Sequence, residues 1–337
     1  MSKRLGQQTV AFAQPPIILS TASVVGPEEG EGPLGQHFDV VKQDRLLGQK
    51  SWELAEKLLC EEACDLAIKK VGKSPREVDF FLAGDLLNQI ITANFSAQTL
   101  GVPFLGLFGA CSTLAEGLAL GGMLLDGGFA GCVLTACASH HDTAERQYRY
   151  PTELGVQRPP TTQRTVTGAG AVLLGLSGPG PRLTHATVGK VISMGLKDPS
   201  DLGSAMAPAA AETIWQHLQD TGRLPADYDL IATGDLGAVG HPICRKLLAD
   251  RGLALGENFV DCGILVYDRN RQQVNAGGSG CGCSAVVFTS YLVPRLVAGE
   301  IRRLLLVPTG ALFSPTSWKQ GQEIAAVAHA VAVEVPA

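Results

Sequence analysis

Residues 108–117, FGACSTLAEG, set a cysteine between an apolar run and the start of a helical pattern. The stretch from Pro103 to Ala110 reads as an apolar strand, and small and apolar residues follow Cys111 at helical spacing. A thiol at such a turn points out of a sheet edge toward the oriented N–H groups of a helix N-terminus. Those groups favour the thiolate, the reactive form, so this setting predicts a lowered pKa for Cys111. Three readings stay open: a working nucleophile, a wall of a ligand pocket, or a small residue buried for packing. Nearby, His140-His141 has the residue type of a metal pair. Adjacent residues in extended chain point apart and no carboxylate cluster accompanies them, which favours hydrogen bonding in a pocket over metal ligation.

The elements that must position these groups come from an internal repeat. PREVDFFLAGDL (75–86) and PADYDLIATGDL (225–236) match at Pro75 and Pro225, Asp79 and Asp229, and both GDL strings, at one offset of 150 residues. Helical patterns precede both, over 51–71 and 209–222. Downstream, Gly109-Ala110-Cys111-Ser112 opens a helix to Asp126, followed by an apolar strand at 132–136. Gly282-Cys283-Ser284-Ala285 opens another, to Ala298-Gly299, followed by a strand at 304–307. Each half therefore reads helix, strand, Cys-Ser helix, strand, an alternation that implies parallel strands with helices on both faces. The fold class expected is α/β, with two duplicated halves, 1–180 and 181–337, in a layered α/β/α/β/α arrangement. Ligands in open parallel sheets gather beyond the carboxyl ends of the strands. Cys111, Asp85, Asp235 and the 275–283 loop share that rim. The symmetry of Asp85 and Asp235 favours a structural duty for both, as caps or loop braces.

Composition narrows the classes. The chain has 337 residues, 45% hydrophobic and 18% charged, enough for a sizeable core and against general disorder. A net charge of −5 with scattered basic residues argues against nucleic-acid binding. The nine cysteines form no disulfide framework and no CxxC pair, so a reducing compartment fits and no structural metal is expected. Residues 118–138 are apolar except for Asp126, but Asp126-Gly127-Gly128 splits them into a helix and a strand rather than a membrane span. The N-terminal segment lacks the apolar core of a signal peptide.

A duplicated fold with a cysteine opening a central helix resembles the thiolase superfamily, which includes the ketoacyl synthases. TGAGAVLL (167–174) is similar to the glycine-alanine strand after the nucleophile in ketoacyl synthase III enzymes, with Thr167 where those usually carry aspartate. NAGGSG (275–280) resembles their second-half glycine-rich loop. GPLGQHFD (32–39), AGDLLNQ (83–89), LFGACST (107–113), DGGFA (126–130), TAERQYRYPTE (143–153), GSAMAPAAAETI (203–214) and GGSGCGCSAVV (277–287) are closer still to the sporulation branch of that superfamily.

That resemblance implies a protein of endospore-forming bacteria that binds dipicolinic acid (pyridine-2,6-dicarboxylic acid). It implies a role in uptake of the acid into the developing spore, with membrane proteins of the same operon as partners. Homodimerisation through the first half is implied too, as is a peripheral place at the spore inner membrane. No cofactor is expected, though calcium carried with the ligand stays open. A condensing enzyme of the superfamily uses histidine with asparagine, a second histidine or a second cysteine to move protons and polarise the thioester. Here Asp235 falls at the histidine position, an acid that would repel thiolate and enolate alike. His241, in a GHP string like that of thiolases, falls six residues later, and the second cysteine position lies near Asn275 or Cys281. The catalytic set is incomplete, so no catalytic residue is expected, with Cys111 the nucleophile of the alternative, an acyl-thioester condensing enzyme. A planar dianion calls instead for guanidinium forks, amide donors and flat walls. On that basis the ligand-binding candidates are Asn88, Cys111, His140, His141, Arg146 and Arg149, the arginines in a loop that also carries Tyr148 and Tyr150.

Overall fold

The computed structural model describes residues 3–149 and 158–336. Ten strands carry the architecture. The first five are β1 (Ile17–Val25), β2 (Phe80–Gly84), β3 (Phe104–Gly106), β4 (Cys132–Ser139) and β5 (Gly168–Gly175). The next five are β6 (Arg182–Thr187), β7 (Leu230–Thr233), β8 (Phe259–Asp261), β9 (Arg303–Val307) and β10 (Ala330–Glu334). They run β8-β7-β9-β10-β6-β1-β5-β4-β2-β3 across one sheet path. Read outward from the β6–β1 junction, the two sides repeat the same order. β2 pairs in parallel with β3 and β4, and β7 in parallel with β8 and β9. β5 and β10 are the antiparallel members in matching places.

Alternation along the strands builds three cores, because successive side chains leave opposite faces. On one outer face Leu59, Cys60 and Ala63 of α1 (Trp52–Lys69) meet Phe81, Leu134 and Leu173. On the other, Met206, Ala210 and Ile214 of α5 (Leu202–Thr221) and Leu248 of α6 (Gly237–Asp250) meet Ile231, Leu305 and Val307. Between the sheet halves, Leu114 and Leu118 of α3 (Thr113–Asp126) and Val286 of α7 (Cys281–Val287) meet Leu82, Val133, Leu304 and Leu306. Neighbouring residues such as Leu304 and Leu305 thus serve different cores. The result is the layered α/β/α/β/α arrangement. Its halves are also tied by the N-terminal strand Thr9–Ala11, which pairs with β6 while Asp220 of α5 accepts the amides of Gln7, Gln8 and Thr9.

Helix boundaries follow local chemistry. Ser51 caps α1 by accepting the amide of Leu54, and Asp201 caps α5 by accepting that of Ser204. That cap starts α5 at Leu202, earlier than the helical pattern from 209 implied. α7 continues through a widened π turn at Phe288–Leu292 into Val293–Val297, where Pro294 removes a backbone donor. The apolar stretch 118–138 divides as expected: α3 ends at Asp126 and β4 begins at Cys132. No described helix is long and apolar enough to cross a membrane. The segment read as a loop is helical through Gln147: α4 (His141–Gln147) is capped by His140, whose Nδ1 accepts the amide of Asp142, and α2 (Ile91–Leu100) follows the first GDL corner. Tyr148 and Arg149 follow α4, whereas Tyr150 and Pro151 lie outside the described residues.

Candidate functional site

Cys111 lies in a tight turn, Ala110–Ser112, between β3 and α3. The residue before it, Ala110, has φ 50°, a left-handed conformation that costs a residue with a Cβ roughly 1–3 kcal/mol. The turn is held by the strand Thr309–Ala311, which comes close only because residue 310 is glycine: a Cβ there would stand 2.1 Å from the Gly109 carbonyl oxygen. The Cys111 side chain is buried, and burial raises its thiol pKa well above the ordinary value, with Asp235 beside it adding to the rise. Arg149 and the Gly280 amide pull the other way without reversing it. The thiolate expected from the helix N-terminus is therefore overruled, because desolvation and a neighbouring acid outweigh the helix dipole.

Asp235 follows β7 and is fully buried. Its Oδ2 accepts the Ser279 hydroxyl and the Gly280 amide, each at 3.0 Å. Arg149 reaches the same serine, donating from Nη2 to Ser279 Oγ at 3.0 Å and from Nη1 to the Gln163 carbonyl at 2.8 Å. Gln163 Nε2 in turn donates to the backbone carbonyls of Asp235 and Gly278. Burial pushes the Asp235 carboxyl up to about 7, the Cys111 thiol, Gly280 and Ser279 holding it down and Asp261 pushing it further up.

Two adjoining cavities open here. The inner one, about 210 Å³, is lined by Cys111, Ala110, Asp85, Phe108, Leu202 and Leu312. The outer one, about 270 Å³, is lined by Arg146, Arg158, Thr162, Trp318 and Lys319. Tyr148, Arg149 and Phe313 line both, and the Tyr148 and Phe313 rings meet edge to face with centroids 6.2 Å apart. Each cavity is below the roughly 300–1,000 Å³ of drug-sized pockets, a size that suits a single-ring ligand.

The candidate residues separate on this geometry. Cys111 and Arg149 meet at the inner cavity. Arg146 lines the outer one from an exposed position and pairs with Glu53 at 3.5 Å. Asn88, His140 and His141 line neither cavity. Asn88 is exposed, its amide donating to Gln147 Oε1. His140 is used as the cap of α4, with Nε2 against the Arg45 carbonyl at 2.8 Å. His141 is buried, its pKa pushed down to about 2 by desolvation and then by surrounding arginines, so it is a neutral ring. His241 stacks on Phe259 at 4.2 Å within α6 and takes no place beside Cys111. Among the described residues no group of three or more His, Cys, Asp or Glu is placed to hold a metal ion.

The two repeat-mate aspartates also part. Asp85 is a loop brace as expected, accepting Leu87 N and Ala93 N, each at 2.8 Å. Asp235 is not. Asp261, at the end of β8, holds the second corner instead, accepting Leu236 N and Gly237 N, the latter the repeat mate of Leu87 N. Sequence reasoning passed over Ser279, Gln163 and Phe313. Ser279 carried a signal, since it lies in the glycine-rich loop at the same rim. Gln163 and Phe313 carried none, because only the folded chain brings Phe313 to Cys111 and Gln163 to Arg149 and the Asp235 carbonyl.

Comparisons with known proteins bear on this arrangement. A family model described as Stage V sporulation protein AD (SpoVAD) matches residues 6–334. The chain belongs to that family. Stage V sporulation protein AD of Bacillus subtilis (strain 168) is 49% identical over 332 residues, 98% of each chain. Among solved structures, 3-oxoacyl-[acyl-carrier-protein] synthase III from Aquifex aeolicus VF5 is similar with TM-score 0.57 and 14% identity, covering 95% of this chain and 99% of that one. The tetronic acid condensing enzyme AbyA1 is similar with TM-score 0.61 and 20% identity, covering 94% and 99%. At such identities the likeness is one of fold, the ketosynthase III-like fold. The family is a sporulation family on that fold.

Proposed function

We propose that the protein binds dipicolinate, the dianion of dipicolinic acid, in the cavity above Cys111 and supports its uptake into the developing spore without catalysing a reaction. The observation that carries this reading is Arg149. Its guanidinium lies where the two cavities join, and its Nε is buried without a hydrogen-bond partner among the described residues. A carboxylate there would satisfy that donor through a charge-assisted bond. The rings of Tyr148, Phe313 and Phe108 supply flat walls for a pyridine. Arg146, Arg158 and Lys319 at the outer cavity favour arrival of an anion.

Against catalysis stands the pairing at the floor. A condensing enzyme needs a thiolate and a base or electrophile beside it. Cys111 has instead a carboxyl neighbour and a thiol pKa raised by burial. The remaining parts of the reading rest on the family. Calcium would be cargo chelated by the ligand rather than a resident ion. Membrane proteins of the same operon would hold the protein peripherally at the spore inner membrane. A homodimer would form through the first half, where β3 is a sheet edge and Leu105, Phe95 and Phe108 are exposed.

Isothermal titration tests the binding. Dipicolinate should bind, and Arg149→Ala should weaken it at least about tenfold, the loss typical of a charge-assisted hydrogen bond. Arg146→Ala should matter less, since that side chain is exposed. No measurable binding at millimolar ligand would sink the proposal. Intact-mass analysis after incubation with acyl-CoA tests the alternative, a condensing enzyme that uses Cys111: an acylated Cys111 would favour it.

A further inference from the structure

We infer that Asp235 is a positioning residue for the ligand: acting through Ser279, it sets the side chain of Arg149 before any carboxylate arrives. This rests on the reading of the cavity as a dicarboxylate site anchored by Arg149.

A single hydrogen decides the arrangement. Ser279 carries one hydroxyl proton and two lone pairs. It is fully buried between two partners, Asp235 Oδ2 and Arg149 Nη2, each at 3.0 Å. A guanidinium only donates, so the serine oxygen accepts from Arg149 and gives its proton to Asp235. Oδ2 also accepts the Gly280 amide at 3.0 Å, as an acceptor oxygen should. Without that carboxyl oxygen the hydroxyl is free to turn its proton toward the guanidinium, and the acceptor that Arg149 meets is no longer fixed.

Arg149 needs such a hold. α4 ends at Gln147, two residues earlier, so no helix surface orders its side chain. Its second tie runs from Nη1 to the Gln163 carbonyl at 2.8 Å, and Gln163 is fastened in turn by Nε2 to the carbonyls of Asp235 and Gly278. Asp235 thus stands behind both ties, one through its carboxyl and the other through its backbone carbonyl. The fork held this way keeps its Nε buried, with no hydrogen-bond partner among the described residues, where the two cavities join. A loose arginine would have to be ordered by the ligand, and ordering one such side chain weakens binding about three- to tenfold. Asp235 lines neither cavity, so its geometric effect passes through these bonds. Its charge acts with the opposite sign, because a carboxylate repels a dianion.

Two neutral variants separate the acceptor from the charge. Asp235→Asn keeps an oxygen for the Ser279 hydroxyl, and Asp235→Ala keeps none. By isothermal titration Asp235→Ala should bind dipicolinate about three- to tenfold more weakly than Asp235→Asn. In an Arg149→Ala background the two should bind alike, since the residue through which Asp235 acts is gone, whereas general damage to the fold would persist there. Ser279→Ala removes the acceptor directly and should weaken binding by a similar factor against wild type, which carries the test if Asp235→Ala does not fold. Equal binding by the two Asp235 variants, or undiminished binding by Ser279→Ala, would overturn the inference and leave the proposed function standing. So would a gap that survives in the Arg149→Ala background. If that background binds too weakly to compare, a crystal structure of Asp235→Ala decides: Arg149 displaced from the Gln163 carbonyl supports the inference, and Arg149 unmoved overturns it. A wild-type protein that binds no dipicolinate removes the proposed function, and this inference with it.

Discussion

The two GDL corners began as copies and now do different work. At the first, Asp85 spends its carboxylate on its own loop, accepting the amides of Leu87 and Ala93. At the second, Asp261 from the adjacent strand accepts Leu236 N, Gly237 N, Ile264 N and the Thr233 hydroxyl. Asp235 is thereby released from its own corner and turned toward Cys111 and the glycine-rich loop, where it accepts the Ser279 hydroxyl and the Gly280 amide. The comparison shows how a duplicated fold gains a site. A neighbour takes over the structural duty at one copy, and the freed side chain becomes available for chemistry.

The largest test of that division is stability. Asp261→Ala should cost about 3–5 kcal/mol and Asp85→Ala about 2–4 kcal/mol, because each strands several buried donors. Asp235→Ala should cost least, about 1–2 kcal/mol, since it strands the Ser279 hydroxyl and the Gly280 amide but leaves its own corner held by Asp261. Denaturant unfolding of the three variants measures this, and an Asp235 cost equal to that of Asp85 would erase the distinction.

A smaller effect lies in pH dependence. Asp85 and Asp235 both titrate at about 7 in the folded protein against an ordinary value of 3.8. The folded state then holds more protons than the unfolded chain between about pH 4 and pH 7. Their stabilisation is complete below about pH 4 and lost as pH rises through about 7. Buried His141, held low, acts oppositely, its contribution lost as pH falls below about 6.5. The difference between wild type and D235N isolates one acid: the melting temperature of D235N should fall less from pH 5 to pH 8.

The smallest expected effect concerns the thiol. Asp235 helps hold the Cys111 thiol protonated, so D235N should alkylate faster at Cys111 with iodoacetamide at pH 8, by a modest factor because burial is the larger cause. An unchanged rate would mean that desolvation alone keeps Cys111 inert.

Much of this was legible in the residues. The 150-residue repeat gave the layered architecture, because matched Pro, Asp and GDL positions are a local signal. The Cys111 turn and the arginines in and just after α4 were visible for the same reason. What stayed hidden depends on contacts distant in sequence. His140 reads like a site residue until its ring is seen capping α4. Asp235 reads like its mate until Asp261, 26 positions on, is found holding its loop. Phe313 reaches the cavity, and Gln163 the loop behind it, from segments with no motif at all. Even the sign of the Cys111 shift depended on burial, which a helix N-terminus in sequence does not disclose.

Ala110, held at φ 50° under Gly310, has a consequence for recognition. A turn kept in a costly conformation by its packing has few alternatives to sample, so the cavity floor enters binding already ordered. A small rigid ligand arriving there has little conformational freedom of its own to lose and imposes little on the protein. Replacing Ala110 by glycine would relax the turn and let the floor wander. The expected mark is calorimetric: a more unfavourable entropy of binding with the contacts unchanged.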